Sequence, residues 1–128
     1  MTRLLILFAT LCAGMQAVAA QSVQIANDQR TRQVNELHLR ALDTLNGATT
    51  DLTVQVGETV RFGRLEITAD TCRVPEDNPK GDAYAFLRIR DTREDHPRFS
   101  GWMFASSPAL SALDHPRYDV WVVSCNNR

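Results

Sequence analysis

Beyond residue 36, apolar residues return at every second position through most of the chain. Leu37, Leu39 and Ala41 alternate with His38 and Arg40, and Leu52, Val54 and Val56 with Thr53 and Gln55. Val60 and Phe62 then alternate with Thr59 and Arg61, and Leu65, Ile67 and Ala69 with Arg64, Glu66, Thr68 and Asp70. A period of two sends successive side chains to opposite faces of a strand, so these runs predict a meander with one buried face. Turn chemistry separates them: Asn46-Gly47, then Gly57-Glu58, then Gly63 as a break or bulge. The first run also fits a helix through Val34, Leu37, Ala41 and Leu45; the turn behind it favours the strand.

Residues 74–82, with two prolines, a glycine and mixed charges, predict a long exposed loop; residues 84–89 are the next strand and residues 90–97 a second charged loop. The closing segments, residues 99–105 and 118–125, are apolar on both alternations. Phe99 and Met103 face one way and Trp102 and Phe104 the other, while Val120 and Val122 oppose Trp121 and Val123. Such strands sit in the middle of a sheet or are covered on both faces; the alternative is one face left open as an adhesive patch. Between them Ser107 precedes Pro108, the expected N-cap and first position of a short helix near residues 108–113. The tetrapeptide Asp-His-Pro-Arg occurs at 95–98 and again at 114–117, each time before an aromatic residue. Proline after histidine imposes an extended lead-in to a strand. The resulting expectation is an all-β domain, a small antiparallel sandwich or barrel-like meander with that one short helix.

The first 35 residues follow other rules. A basic Arg3, the apolar run 4–14 and the small residues 17–20 make the three parts of a secretory signal peptide over residues 1–20. Residues 21–35 read as a flexible polar leader, and residues 36–128 as a single β-rich domain. Cys12 follows Leu11, where a lipidated cysteine needs a small neighbour, so it reads as apolar filler. Removal of the signal leaves Cys72 and Cys125; an even count in an exported chain predicts a disulfide. The remaining 108 residues hold 13 basic and 15 acidic side chains, a net charge of −2, which argues against nucleic acid as a partner. A periplasmic location follows from the signal, with no membrane span once it is cleaved.

Candidate chemistry is sparse. Ser106 or Ser107, His115, and Asp114 or Asp119 supply the residue types of an acyl-transfer site, but Gly-x-Ser-x-Gly is absent and the capping role suits Ser107 better. No catalytic residue is assigned. His38, His96 and His115 are far apart and lack metal-site spacing; Glu76, Asp77, Asn78 and Asp82 are interrupted by Pro79 and Lys80, so no metal or cofactor is expected. Trp102, Phe104, Tyr118 and Trp121 are the candidate binding surface, for a protein or by stacking on a sugar.

The runs 62–67, 85–87, 99–110 (Phe-Ser-Gly-Trp-Met-Phe-Ala-Ser-Ser-Pro-Ala-Leu) and 115–121, with Cys72 and Cys125, resemble a family of small exported alphaproteobacterial proteins defined as a domain of unknown function. The resemblance covers residues 37–126. It implies a Gram-negative periplasmic setting and brings no catalytic residues. The function expected is a non-enzymatic periplasmic interaction module, an accessory of an inner-membrane or envelope assembly. The alternatives are a glycan- or peptidoglycan-binding module using exposed tryptophans, and a hydrolase built on Ser107 and His115.

Overall fold

A computed structural model describes residues 30–128; the signal segment, Cys12 and the first part of the polar leader lie outside them. The described residues form eight strands: β1 Thr31–Val34, β2 Glu36–Asp43, β3 Ala48–Gln55, β4 Thr59–Phe62, β5 Leu65–Pro75, β6 Tyr84–Asp91, β7 Phe99–Phe104 and β8 Tyr118–Asn126. All pairings are antiparallel. One sheet runs β1-β5-β6-β7, with β4 beside β1 on the long strand β5; the other runs β3-β2-β8. The result is an all-β, two-sheet sandwich and not a closed barrel.

The alternation read from the sequence maps onto the layers. Leu37, Leu39 and Ala41 of β2 and Val120 and Val122 of β8 meet Leu65, Ile67, Leu87 and Ile89 of the larger sheet, all nearly inaccessible to solvent. Burial of such side chains contributes about 1.5–3 kcal/mol each relative to exposure. The first run is a strand, as its turn suggested: Gly47 takes φ 70° and its N–H bonds Asp43 O at 2.9 Å.

Three expectations are corrected. The polar leader does not extend to residue 35, because Thr31–Val34 pairs with β5, Val34 opposite Cys72, and closes the larger sheet beyond the end of β4. Backbone pairing needs no apolar period, so a polar segment carried it unseen. The helix near residues 108–113 is a single 3-10 turn, Pro108–Leu110. Its Ser107 sits at the cap position, but the side chain makes no cap hydrogen bond; the backbone Ser107 O accepts Leu110 N–H at 3.1 Å. The apolar closing strands, finally, are not central: β7 and β8 are each the last strand of a sheet. The segment between them, residues 105–117, straps the open side of the sandwich, with Leu113 buried in the core.

Two bulges set the position of the cysteines. Along β5 the buried residues are Leu65, Ile67 and Ala69, and unbroken alternation would turn Cys72 outward. The register slips by one residue between Ala69 and Thr71, and Cys72 and Val74 then face inward. Along β8 the buried residues are Tyr118, Val120 and Val122; a second slip opposite His38/Leu39 brings Cys125 inward. The two sulfurs lie at bonding distance, with Cα atoms 6.2 Å apart, joining the sheets. Asn35, where the chain itself crosses from β1 to β2, lies beside them: Val34 pairs with Cys72, and Leu37 with Cys125.

Gly63 makes the tight turn from β4 to β5 at φ 55°, and a Cβ there would stand 2.5 Å from the Tyr118 hydroxyl oxygen. Gly63→Ala is expected to destabilise the fold by about 1–3 kcal/mol through backbone strain and displacement of that ring, read as a shift of the urea midpoint. Closing a separation of 53 residues is worth about 4 kcal/mol on the chain-entropy account. The Cys72→Ser/Cys125→Ser variant should therefore unfold at markedly lower urea than the oxidised protein; equal midpoints, or two free thiols by mass spectrometry of the exported protein, would refute the link.

Candidate functional site

Strand alternation sorts the chemistry-bearing side chains onto faces. Ala85, Leu87 and Ile89 of β6 and Met103 of β7 point into the core, so Tyr84, Phe86, Arg88 and Arg90, with Ser100, Trp102 and Phe104, stand on the outer face of the larger sheet. The register sets Tyr84 opposite Phe104 and Phe86 opposite Trp102. Both pairs pack edge to face, with ring centroids 5.9 and 5.6 Å apart, the arrangement favoured by the ring quadrupoles. Trp102 is 37% exposed. The other end of the same face is ionic: Arg88 grips Asp70 at 2.7 and 2.8 Å, and Arg90 reaches Glu66 at 2.9 Å. An aromatic field bounded by ion pairs thus occupies one side of the molecule.

The sequence pointed to Trp102, Phe104, Tyr118 and Trp121 as one surface. The structure brings together the first two and adds Tyr84 and Phe86, which the sequence placed only within the strand at residues 84–89. Tyr118 is a correction. It faces inward from β8 and is 3% exposed, packed edge-on against Phe62 at 5.6 Å, with Arg64 and Arg117 over its ring at 5.4 and 5.0 Å. Trp121 faces outward from the other sheet, between the buried Val120 and Val122, and flanks a cleft of about 450 Å³ with Pro108, Ala109 and Ala112 of the strap. The two tryptophans therefore lie on opposite sides of the sandwich.

The candidate acyl-transfer groups are likewise apart. Phe104, three residues before Ser107, pairs with Tyr84 at one end of β6, while His115 binds Asp91 at the other. At about 3.3 Å per residue the ends of β6 are roughly 20 Å apart. The His115 imidazole is 1% exposed, and its Nδ1 accepts the Arg117 and Tyr118 N–H groups at 3.0 and 3.1 Å. A nitrogen that accepts two N–H bonds carries no proton, so Nε2 donates to Asp91 Oδ2 at 2.9 Å. Both ring nitrogens are thereby used in holding the strap to β6 and β8. His96, in the matching tetrapeptide, is exposed in its loop, and His38 lies on the outer side of β2 bonding Asn126 and Thr53 at 3.2 Å each. No group of three metal-ligating side chains occurs among the described residues.

Ser106 donates its hydroxyl to Asp82, whose carboxylate also accepts Ser106 N–H at 3.0 Å and Ala83 N–H at 2.8 Å. Burial pushes the Asp82 carboxyl up, but the Ser106 hydroxyl and those backbone donors outweigh it and hold it below the ordinary range. This serine anchors the start of the strap to the loop before β6. Asp91 is lowered further, to about 2, first by the Arg93 N–H and the His115 hydrogen bond, against its burial, with Arg64 adding its charge. Arg117 pairs Asp43 through Nε and Nη2 at 3.0 and 2.8 Å, lowering that carboxyl as well. At the His115 end of the sandwich, Asp91, Arg64, Arg117 and Asp43 act on one another.

A model of the bacterial family described as "Uncharacterized protein conserved in bacteria (DUF2155)" matches residues 37–125. Uncharacterized protein RP359 of Rickettsia prowazekii (strain Madrid E) is 28% identical over 88 residues, which cover 66% of this chain and 57% of that protein. The chain thus spans little more than half the length of that relative. No solved structure matches. No helix among the described residues is long and apolar enough to cross a membrane.

A carboxyl held low in the folded state stabilises fully above its unfolded value, and that contribution is lost as pH falls through the folded value. Asp91, ordinarily 3.8 and here about 2, should make thermal stability fall between those pH values. Asp91→Asn, less stable near neutrality, should lose less over the same window. Parallel pH profiles of the two proteins would contradict the assignment.

Proposed function

We propose, from the premise that the chain belongs to the DUF2155 family of bacterial proteins, that it is a non-enzymatic interaction module of the periplasm that docks an envelope protein on the outer face of β6 and β7. The observation carrying this reading is the outward quartet Tyr84, Phe86, Trp102 and Phe104. Aromatic side chains supply large contact area at low conformational cost and dominate the centres of protein interfaces. The ion pairs at Asp70–Arg88 and Glu66–Arg90 supply a polar rim beside them. The reactive groups, by contrast, are tied up internally: Ser106 by Asp82, and His115 by Asp91 and two backbone N–H groups. Export is part of the proposal, supported by the three-part leader at residues 1–20 and by the cysteine pair, since disulfides persist outside the cytosol.

A second reading shares the same face. Trp102, with Ser100 and Arg88 on the same side of the ladder, offers a stacking ring with hydrogen-bonding neighbours, as a glycan would require. Solution titration separates the two.

A photo-crosslinking side chain at Thr71, opposite Phe86 in the ladder, should yield a discrete heteromeric adduct in the cell envelope. The same probe at Thr50, on the far sheet, should not. Trp102→Ser and Phe86→Ser should abolish the adduct while lowering stability by only about 1 kcal/mol each. An adduct indifferent to both substitutions, or none, would overturn the docking site. Quenching of Trp102 fluorescence by peptidoglycan fragments would reassign it to sugar.

A further inference from the structure

An antiparallel ladder leaves every second residue of an outermost strand with its N–H and C=O pointing away from the sheet. Which residues these are in β7 follows from the bond Ala105 N–H to Ala83 O at 2.9 Å. It makes Tyr84–Phe104 a non-hydrogen-bonded pair, so Phe104, Trp102 and Ser100 direct their backbone groups outward. Phe104 O is taken by Ser107 N–H at 3.3 Å. Among the described residues no hydrogen bond from the strap or any other segment reaches the outward groups of Ser100 and Trp102.

The outermost strands of the other sheet are treated differently. In β8 the bond from Thr44 N–H to Arg117 O at 2.9 Å fixes Tyr118, Val120 and Val122 as the outward residues up to the bulge. The N–H groups of the first two are capped by His115 Nδ1 at 3.1 Å and by the Asp119 carboxylate at 2.9 Å. The same analysis of β3, from Val56 N–H to Asn35 O at 2.9 Å, turns the backbone of Asp51, Thr53 and Gln55 outward. The Asp51 carboxylate there, bound to Arg40 at 2.7 Å, is a charge that discourages pairing. β7 contains no charged residue and no proline, and it carries the exposed Trp102.

We propose that β7 is a strand-pairing edge and that its occupant is a second copy of this chain, joined antiparallel about a two-fold axis at Gly101. In that register Ser100 faces Trp102 of the partner subunit and each exchanges both backbone hydrogen bonds with the other, so the unmet groups of one edge are the complement of the other's. Gly101 meets its symmetry mate as a non-hydrogen-bonded pair, where Cα atoms approach to about 4.5 Å. The absence of a side chain there favours that closeness. No like charges are set opposite one another across β7. The larger sheets become continuous, and the aromatic fields of both copies lie on one face. An interface of this kind is isologous, the commonest way in which chains associate. The proposal does not rest on the envelope partner suggested above: either can stand if the other fails.

Sedimentation velocity of the purified protein across a hundredfold range of concentration should show a monomer–dimer equilibrium. Ser100→Pro deletes a donor that faces away from β6, so it should abolish the dimer while leaving the far-UV spectrum of the monomer unchanged. Should that variant misfold, amide hydrogen exchange of the unaltered protein gives the same answer: Ser100 and Trp102 should become protected as concentration rises, by the same factor as the dimer fraction predicts. A monomer at every concentration, a dimer in which those two amides stay unprotected, or a folded Ser100→Pro variant that still dimerises would each overturn the proposal.

Discussion

The Cys72–Cys125 contact ties the two sheets together at the corner where the chain passes from β1 to β2. Its existence depends on two single-residue register slips, one between Ala69 and Thr71 and one opposite His38/Leu39. Each slip exchanges inside for outside along the rest of its strand, because side chains alternate with period two. One slip alone would leave a cysteine in solvent and its intended partner in the core. Taken together they bring both sulfurs into the space between the layers. They also account for the local departures from clean alternation at the ends of β5 and β8. A sandwich of this size buries a limited apolar area, so a covalent tie at one end, where the layers meet, shifts the balance of stability for the whole domain.

The opposite end is held by polar groups. The strap between β7 and β8 must turn its chain into β8 beside the end of β6, and it does so with His115, whose ring is bound on both nitrogens by Asp91 and the Arg117 and Tyr118 backbone. Tyr118 then enters the core beneath Arg64 and Arg117, with its hydroxyl beside the Arg64 N–H and close over Gly63. A histidine and an aspartate in a buried pair are commonly associated with catalysis. Here the same pair anchors a strap, with both ring nitrogens engaged by Asp91 and the Arg117 and Tyr118 N–H groups.

These two anchors leave the outer side of the larger sheet unencumbered. In the aromatic ladder of β6 and β7 every ring is braced edge-on by its cross-strand neighbour. Rigid aromatic area loses little entropy on association. The scaffold therefore displays an ordered aromatic surface on the outer face of β6 and β7.

Period-two alternation, turn chemistry and cysteine parity are local properties, and each was legible in the sequence by itself: the β class, most strand positions, the Asn46-Gly47 turn and the pairing of Cys72 with Cys125. Tertiary structure alone decided what lies beside what. The strand Thr31–Val34 is polar and was invisible because its stabilisation comes from backbone bonds to β5. Two bulges, which leave no mark in composition, chose the faces of the cysteines. Tyr118 and Trp102 are both aromatic residues of apolar strands, yet one lies within the sandwich and the other on its surface, since alternation says which residues share a side but not which side meets the second sheet. The order of strands, which made β7 and β8 outermost, is likewise a long-range property: it arises from contacts between segments remote in the chain, and no window of sequence contains them.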